Sequence, residues 1–340
     1  MARVVTFGEI MMRLATPGRL RFNQATQFDV TYGGGEANVA VSLANFGLDA
    51  TFVTRLPKNP FGDAAVQTLR GLGVDTTRIA RAGERIGIYF LETGASQRAS
   101  VVVYDRAGSA IAQAKPGQFD WAAIFAGASW FHFTGITPAL GPDVAAATRE
   151  ALQAAKAAGL TVSCDMNYRK KLWTPAEAQA TMSELMQFVD VAIGNEEDAE
   201  KVFGIRAEGV VVTSGSLEHS AYEQVARRLA ERFDLKAVAI TLRESHSADE
   251  NGWSAMLLHE DQVYQSRAYD IQIVDRVGGG DSFAAGLIYG LVTERGPQES
   301  LEFAVAASCL KHSIVGDLNL VSVAEVEALV QGDASGRVQR

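Results

Sequence analysis

Long apolar runs are missing from this chain of 340 residues. No stretch reaches the ~18 residues that a membrane-spanning helix needs. The first residues pass directly into a strand-like Arg3 to Gly8, with no charged-then-apolar leader ahead of it. The expectation is a cytoplasmic protein. Cysteine is scarce as well: Cys164 and Cys309 lie in apolar surroundings, at neither metal-ligand nor disulfide-framework spacing, and read as core thiols in a reducing compartment. Basic blocks are lacking. Against 40 Asp and Glu stand 31 Lys and Arg, a formal net charge of -9, which argues against nucleic-acid or anionic-membrane partners. Any phosphate the protein binds must therefore be captured locally. Neither of the commoner phosphate motifs occurs: no Gly-Lys-Ser/Thr follows a glycine cluster, and the missing third glycine of a dinucleotide fingerprint speaks against a dehydrogenase.

What is present is ordinary globular composition, 47% hydrophobic and 21% charged, on a chain long enough for about two domains or one large domain with an excursion. Strand and helix patterns alternate, which predicts an α/β protein with a parallel sheet covered by helices on both faces. Helices are expected over Glu36 to Phe46, Phe61 to Leu72, Asp143 to Ala158 and Pro175 to Met186, the first three stopped by Gly47, Gly73 and Gly159. Strands are expected over Ala50 to Arg55, Trp130 to Phe133, Leu160 to Asp165, Val189 to Gly194 and Ala237 to Leu242. Two stretches, Ile86 to Glu92 and Ala99 to Asp105, have only the polar Thr93 to Arg98 between them and predict a hairpin. The polar tail from Gly332 to Arg340 is expected to be disordered.

The most informative segment is Asp275 to Gly286, DRVGGGDSFAAG. The alternating Tyr269 to Val274 precedes it, so it reads as strand, glycine turn, helix. Gly278, Gly279 and Gly280 would let backbone amides converge at a helix start, where the dipole favours an anion. A carboxylate there, Asp281, would repel a phosphate unless its task is to take a proton from the group attacking that phosphate. Taken alone, the triplet also fits a flexible turn with Asp281 as N-cap. A second cluster, Gly33-Gly34-Gly35-Glu36-Ala37-Asn38, opens an earlier helix with amides and a side-chain amide that suit a polyhydroxylated ligand.

Together the DxxGxGD pattern and this earlier cluster resemble the two signatures of the ribokinase-like (PfkB) carbohydrate kinases, in the right order, and the resemblance runs from Val4 to about Val330. It implies a ribokinase-like three-layer α/β/α fold: one kinase domain over residues 1–331 with a mostly parallel central sheet and a small β-lid from segments at about 11–32 and 86–106. It implies ATP and Mg2+, with Asp281 as general base and the amides of Gly278, Gly279 and Gly280 as the anion hole. Asp275 would have a supporting or a capping role. Gly34, Gly35, Asn38, Tyr89, Tyr104, Arg106 and Arg169 would bind substrate, with Asp317 as a further contact. Asn167, Asn195, Thr241, Ser308 and Lys311 would serve the nucleotide, and Asp198, in an NxxE-like element that ends in the shorter acid, would hold Mg2+ through water, with Glu196 or Glu197 as substitutes.

Two arginines at strand ends, Arg106 and Arg169, suggest a carboxylate-bearing sugar acid, because guanidinium forks supply paired donors and permanent charge. Either could instead form a surface ion pair. The arrangement looks like the 2-keto-3-deoxygluconate kinase branch of the family, with a fructokinase or other ketose kinase, or a non-catalytic sugar-binding relative, as alternatives. One departure stands out: after Leu242 the chain reads RESHSADENG, where many relatives place a glycine-rich loop under the nucleotide. His246 in that loop is given no role. Pairing through the lid implies a homodimer or higher homo-oligomer.

Overall fold

The computed structural model describes residues 2–206 and 215–333, apart from the side chains of Glu196 and of residues 215–219. Along the chain run β1 (Arg3–Phe7), β2 (Met11–Ala15), β3 (Asp29–Gly33), β4 (Asp49–Val53), β5 (Arg55–Leu56), β6 (Ala80–Arg81), β7 (Gly87–Glu92) and β8 (Val101–Asp105). They are followed by β9 (Trp130–Thr134), β10 (Thr161–Asp165), β11 (Val191–Asn195), β12 (Ala237–Ser245), β13 (Glu250–His259), β14 (Gln262–Gln265) and β15 (Tyr269–Gln272). The helices are α1 (Gly35–Asn45), α2 (Pro60–Gly71), α3 (Trp121–Phe125), α4 (Pro142–Ala157), α5 (Pro175–Leu185), α6 (Glu196–Phe203), α7 (Gly215–Phe233), α8 (Gly279–Val292), α9 (Pro297–Lys311) and α10 (Val323–Val330).

The main sheet has the order β14-β13-β12-β11-β10-β9-β1-β4, with β15 added to β13; it is parallel from β4 through β12 and antiparallel beyond. Alternation along each strand divides the core in two. Val4 and Phe52 face the layer of α1, α8 and α9, while Val5, Phe7 and Val53 face the layer of α3, α4 and α5. Helix starts follow their sequence signals: Asn59 caps α2 ahead of Pro60, and Thr174 with Glu177 closes a capping box on α5.

Four strands leave the main sheet to make the lid, in the order β3-β2-β7-β8, with the expected hairpin between β7 and β8. The strand expected to end at Leu242 instead runs to Ser245, because Arg243, Glu244 and Ser245 pair with Trp253, Gly252 and Asn251. Of the tail expected to be disordered, Gly332 and Asp333 close α10 by donating to Leu329 and Ala328, and residues 334–340 lie outside the described residues. Among the described residues no helix is long and apolar enough to cross a membrane.

Small residues set the position of the helix that follows the glycine turn. A Cβ at Gly286 would stand 2.7 Å from Ala304 Cα, so α9 rests directly on the α8 backbone. Phe283, fully buried beside it, contributes on the order of 2 kcal/mol by leaving water. The strand ends at Phe7, Thr134, Asp165 and Asn195, with Thr241 of β12 level with Asn195, open on one side, where ligands bind in open α/β sheets.

Candidate active site

A cavity of about 450 Å³ lies over those strand ends and beneath the lid. Gly278 forms the N-cap of α8 in the left-handed region (φ 83), and no side chain caps the helix. A Cβ at Gly278 would collide with the carbonyl oxygen of Asp317, so only glycine fits. Capping by Asp281 is thereby corrected: Asp281 stands in the first turn of α8, and no side chain takes the helix-start amides, of which Gly279 N donates to Arg276 O at a long 3.4 Å. Its Oδ2 accepts from Asn38 Nδ2 at 2.7 Å, and its Oδ1 lies 3.5 Å from where a Cβ at Gly35 would be. The two glycine clusters therefore meet across one carboxylate. Burial pushes the Asp281 pKa up to about 6, with the Asn38 bond pulling down and the Asp317 charge pushing up.

On the sugar side, Asn38 Oδ1 accepts from Gly34 N at 3.2 Å, locking the loop that precedes α1. The two arginines differ. Arg106 gives its fork to the buried Glu9, with Nε at 2.8 Å, and its guanidinium lies 5.1 Å from the centroid of the Tyr104 ring. The expectation of two free forks is thus corrected to one. Arg169 reaches only the carbonyl of Tyr168, at 3.4 Å, and no carboxylate among the described residues pairs with it. Tyr89 directs its phenol 2.6 Å to Asp317 and not into open space.

Beneath the glycine turn lies a buried ionic network. Arg13, on β2 of the lid, donates to Asp275 Oδ2 at 2.5 Å and to Asp317 Oδ1 at 2.9 Å. Asp275 also accepts from Val277 N and Gly316 N, both at 3.0 Å, which makes it a structural member of the turn. Lys311 joins through Nζ to the carbonyls of Asp275 (3.3 Å) and Ile314 (3.2 Å), and Ser308 Oγ donates 2.7 Å to Gly279 O. Neither Ser308 nor Lys311 lines the cavity. Both were expected to meet the nucleotide; instead α9 buries them completely, as supports behind the turn.

At the opposite wall Asp165, Asn167, Asn195, Asp198 and Thr241 line the cavity. Asn167 holds a positive φ of 37, uncommon outside glycine. Asn195 and Asp198 form a capping box on α6, so Asn195 Oδ1 is committed to the amides of Glu197 and Asp198. Asp198 accepts from Tyr168 N at 2.9 Å and Asn195 N at 3.1 Å, one amide per oxygen, leaving lone pairs open. Burial raises the pKa of Asp165, and the charges of Asp198 and Asp281 add to it. Burial likewise raises Asp198. The two buried acids feel the charge of Arg169 but form no ion pair with it, a donor set that fits a divalent ion held mostly through water; no closed three-ligand cage occurs among the described residues.

A scan against family models matches residues 1–320 to the pfkB family of carbohydrate kinases. The chain belongs to that family. It is 55% identical to a 2-dehydro-3-deoxygluconokinase from Thermotoga maritima, whose crystal structure superposes with a TM-score of 0.94 over 98% of this chain and 100% of that one. It is 32% identical to a 2-dehydro-3-deoxygalactonokinase of Haloferax volcanii over 98% of both chains. A 5-dehydro-2-deoxygluconokinase of Bacillus licheniformis is 27% identical over 90% of this chain and 89% of its own. The chain is thus an ATP-dependent carbohydrate kinase with the ribokinase-like three-layer fold.

Several residues of this kinase's site escaped the sequence reading. Glu9 and Arg13 lie in an apolar-looking strand region, and only their burial reveals them. Glu36 is fully buried at the start of α1, accepting from Thr134 N, Thr134 Oγ1 and Thr137 Oγ1. Arg243 and Arg276 line the cavity where the glycine-rich loop is missing. The RESHSADENG segment is a hairpin, and its turn is tied to the lid: Ala248 N donates 2.7 Å to Ser96 O, and Ser96 N donates 2.7 Å to Asp249 Oδ2. His246 is exposed, 4.0 Å from Glu244.

Proposed function

We propose that the chain phosphorylates the primary hydroxyl of 2-keto-3-deoxygluconate with ATP. The observation that carries this reading is the Asp281 carboxylate, held between the two glycine clusters with a pKa raised to about 6 by burial. It is ionised at neutral pH yet close enough to that pH to exchange a proton readily.

In the proposed reaction the sugar hydroxyl lies against Gly34 and Gly35 and gives its proton to Asp281 as its oxygen bonds to the γ-phosphorus. The bond from that phosphorus to the bridging oxygen breaks, and ADP leaves with the electron pair. Amides of Gly278, Gly279 and Gly280 face the transferred group and stabilise charge on its oxygens. Mg2+, when bound near Asp198 and Asp165, supplies charge neutralisation along the phosphates. Arg169, which forms no ion pair among the described residues, takes the sugar-acid carboxylate, with the remaining edge of Arg106 and with Tyr104 from the lid. Arg243 and Arg276 stand where a phosphate chain would lie beyond the glycine turn. Asn167, Asn195 and Thr241 line the wall beside it.

Names of the relatives leave the epimer open, and the galactonate form is the second reading, favoured by the Haloferax volcanii protein. Assaying ADP release from 2-keto-3-deoxygluconate, its galactonate epimer and fructose separates them. A gluconate kinase has its highest kcat/KM on the first; preference for fructose would remove the sugar-acid reading altogether.

A further inference from the structure

Arg13 touches the lid, the glycine turn and the segment at Asp317 together. Its backbone belongs to β2, where it pairs in register with Tyr89 of β7. Its side chain is 2% exposed and divided between two carboxylates of different segments, Asp275 and Asp317. Asp275 holds the amide of Val277, the residue before Gly278. Asp317 presses on both glycine clusters: its backbone oxygen lies against Gly278 and its carboxylate against Gly33, next to Gly34. Tyr89, from the same lid sheet, supplies the second hold on Asp317.

Arg13 and Lys311 face Asp275 and Asp317, so two cations stand against these two carboxylates beneath the glycine turn. Removing Arg13 would leave Lys311 alone against two buried carboxylates, beside amides that must attract phosphate.

We propose that Arg13 is a positioning residue that couples the lid to the anion hole, so that a sugar acid settling under the lid also completes the phosphate site. The proposal rests on the kinase reading above. It follows that the two ligands bind with positive synergy, and that the synergy is reciprocal, since linkage requires it.

Calorimetry on the full chain with Mg2+ and a non-hydrolysable ATP analogue, with and without 2-keto-3-deoxygluconate, measures this. In the wild type the sugar acid should tighten the analogue about fivefold or more, in the range typical of coupled sites. Arg13→Met should bring that ratio near one, and Arg13→Lys should leave an intermediate ratio, because an ammonium cannot fork to two carboxylates. A purely structural role would lower the melting temperature and weaken both ligands while leaving the ratio unchanged; that outcome overturns the proposal, as does a wild type without synergy. Should Arg13→Met not fold, Tyr89→Phe must shrink the same ratio. Failure of the kinase reading is seen separately, as a wild type that turns over none of the sugar acids.

Discussion

In the proposed function Asp281 and Arg169 carry different parts of the work, and their replacement should separate in the kinetics. Asp281→Asn keeps the side chain's size and its bond with Asn38 within reach but removes the proton acceptor. Turnover should fall at least about a hundredfold, the usual contribution of general base catalysis. Steady-state assays decide, and near-normal kcat would take the role of base away from Asp281. In the wild type, kcat/KM should decline about tenfold per pH unit below the Asp281 pKa of about 6, since only the ionised carboxylate accepts a proton. Arg169→Ala should raise KM for sugar acids by about tenfold or more, consistent with loss of a charge-assisted contact, and should barely affect a neutral sugar. Equal effects on both substrate types would place the carboxylate elsewhere.

At the scale of elements, Glu36 ties the start of α1 to the end of β9 and to Thr137. Burial pushes its pKa up to about 7 despite hydrogen bonds from Thr137, Thr134 and its own backbone that favour the ionised form. Between its ordinary value and about pH 7 the folded state therefore holds a proton that the unfolded state has lost, so stability declines as pH rises through that window. Glu36→Gln keeps an acceptor for Thr134 and Thr137 and removes the titration. The variant should lose the pH-dependent part, of the order of a few kcal/mol between the ordinary carboxyl value and about pH 7, seen as a flatter melting temperature against pH. An unchanged slope would show that Glu36 does not titrate there. Elements of this kind were well marked in the chain: Gly47, Gly73 and Gly159 stop their helices because only a residue without Cβ enters the left-handed region freely. The β12–β13 hairpin was not, because Arg243, Glu244 and Ser245 carry no strand pattern and are held in the ladder by their partners on β13.

In the whole molecule the lid meets the body at the buried Arg13 network and, among other places, at the part-exposed turn at Asp249. Asp249 receives Ser96 N and pairs with Arg19 at 2.8 Å, both from lid connections. Exposed ion pairs contribute only ~0–1 kcal/mol. Asp249→Ala should therefore speed amide exchange around Ser96 and Ala248 and leave global unfolding nearly unchanged. Hydrogen-exchange mass spectrometry and a denaturant melt check the two halves, and a large loss of global stability would mean that the turn supports more than the lid tip.

Strand–helix alternation, the paired glycine clusters and the acid after the second of them were determined by the chain alone, because local sterics and helix capping depend on neighbours in sequence. Proximity across sequence was not. That Asn38 meets Asp281, that Glu9 takes the fork of Arg106, and that Arg13 bridges Asp275 and Asp317 were decided only by tertiary structure. Hydrogen-bond partners of buried charges are chosen by which segments pack together, and a linear pattern of residue types carries no record of that choice.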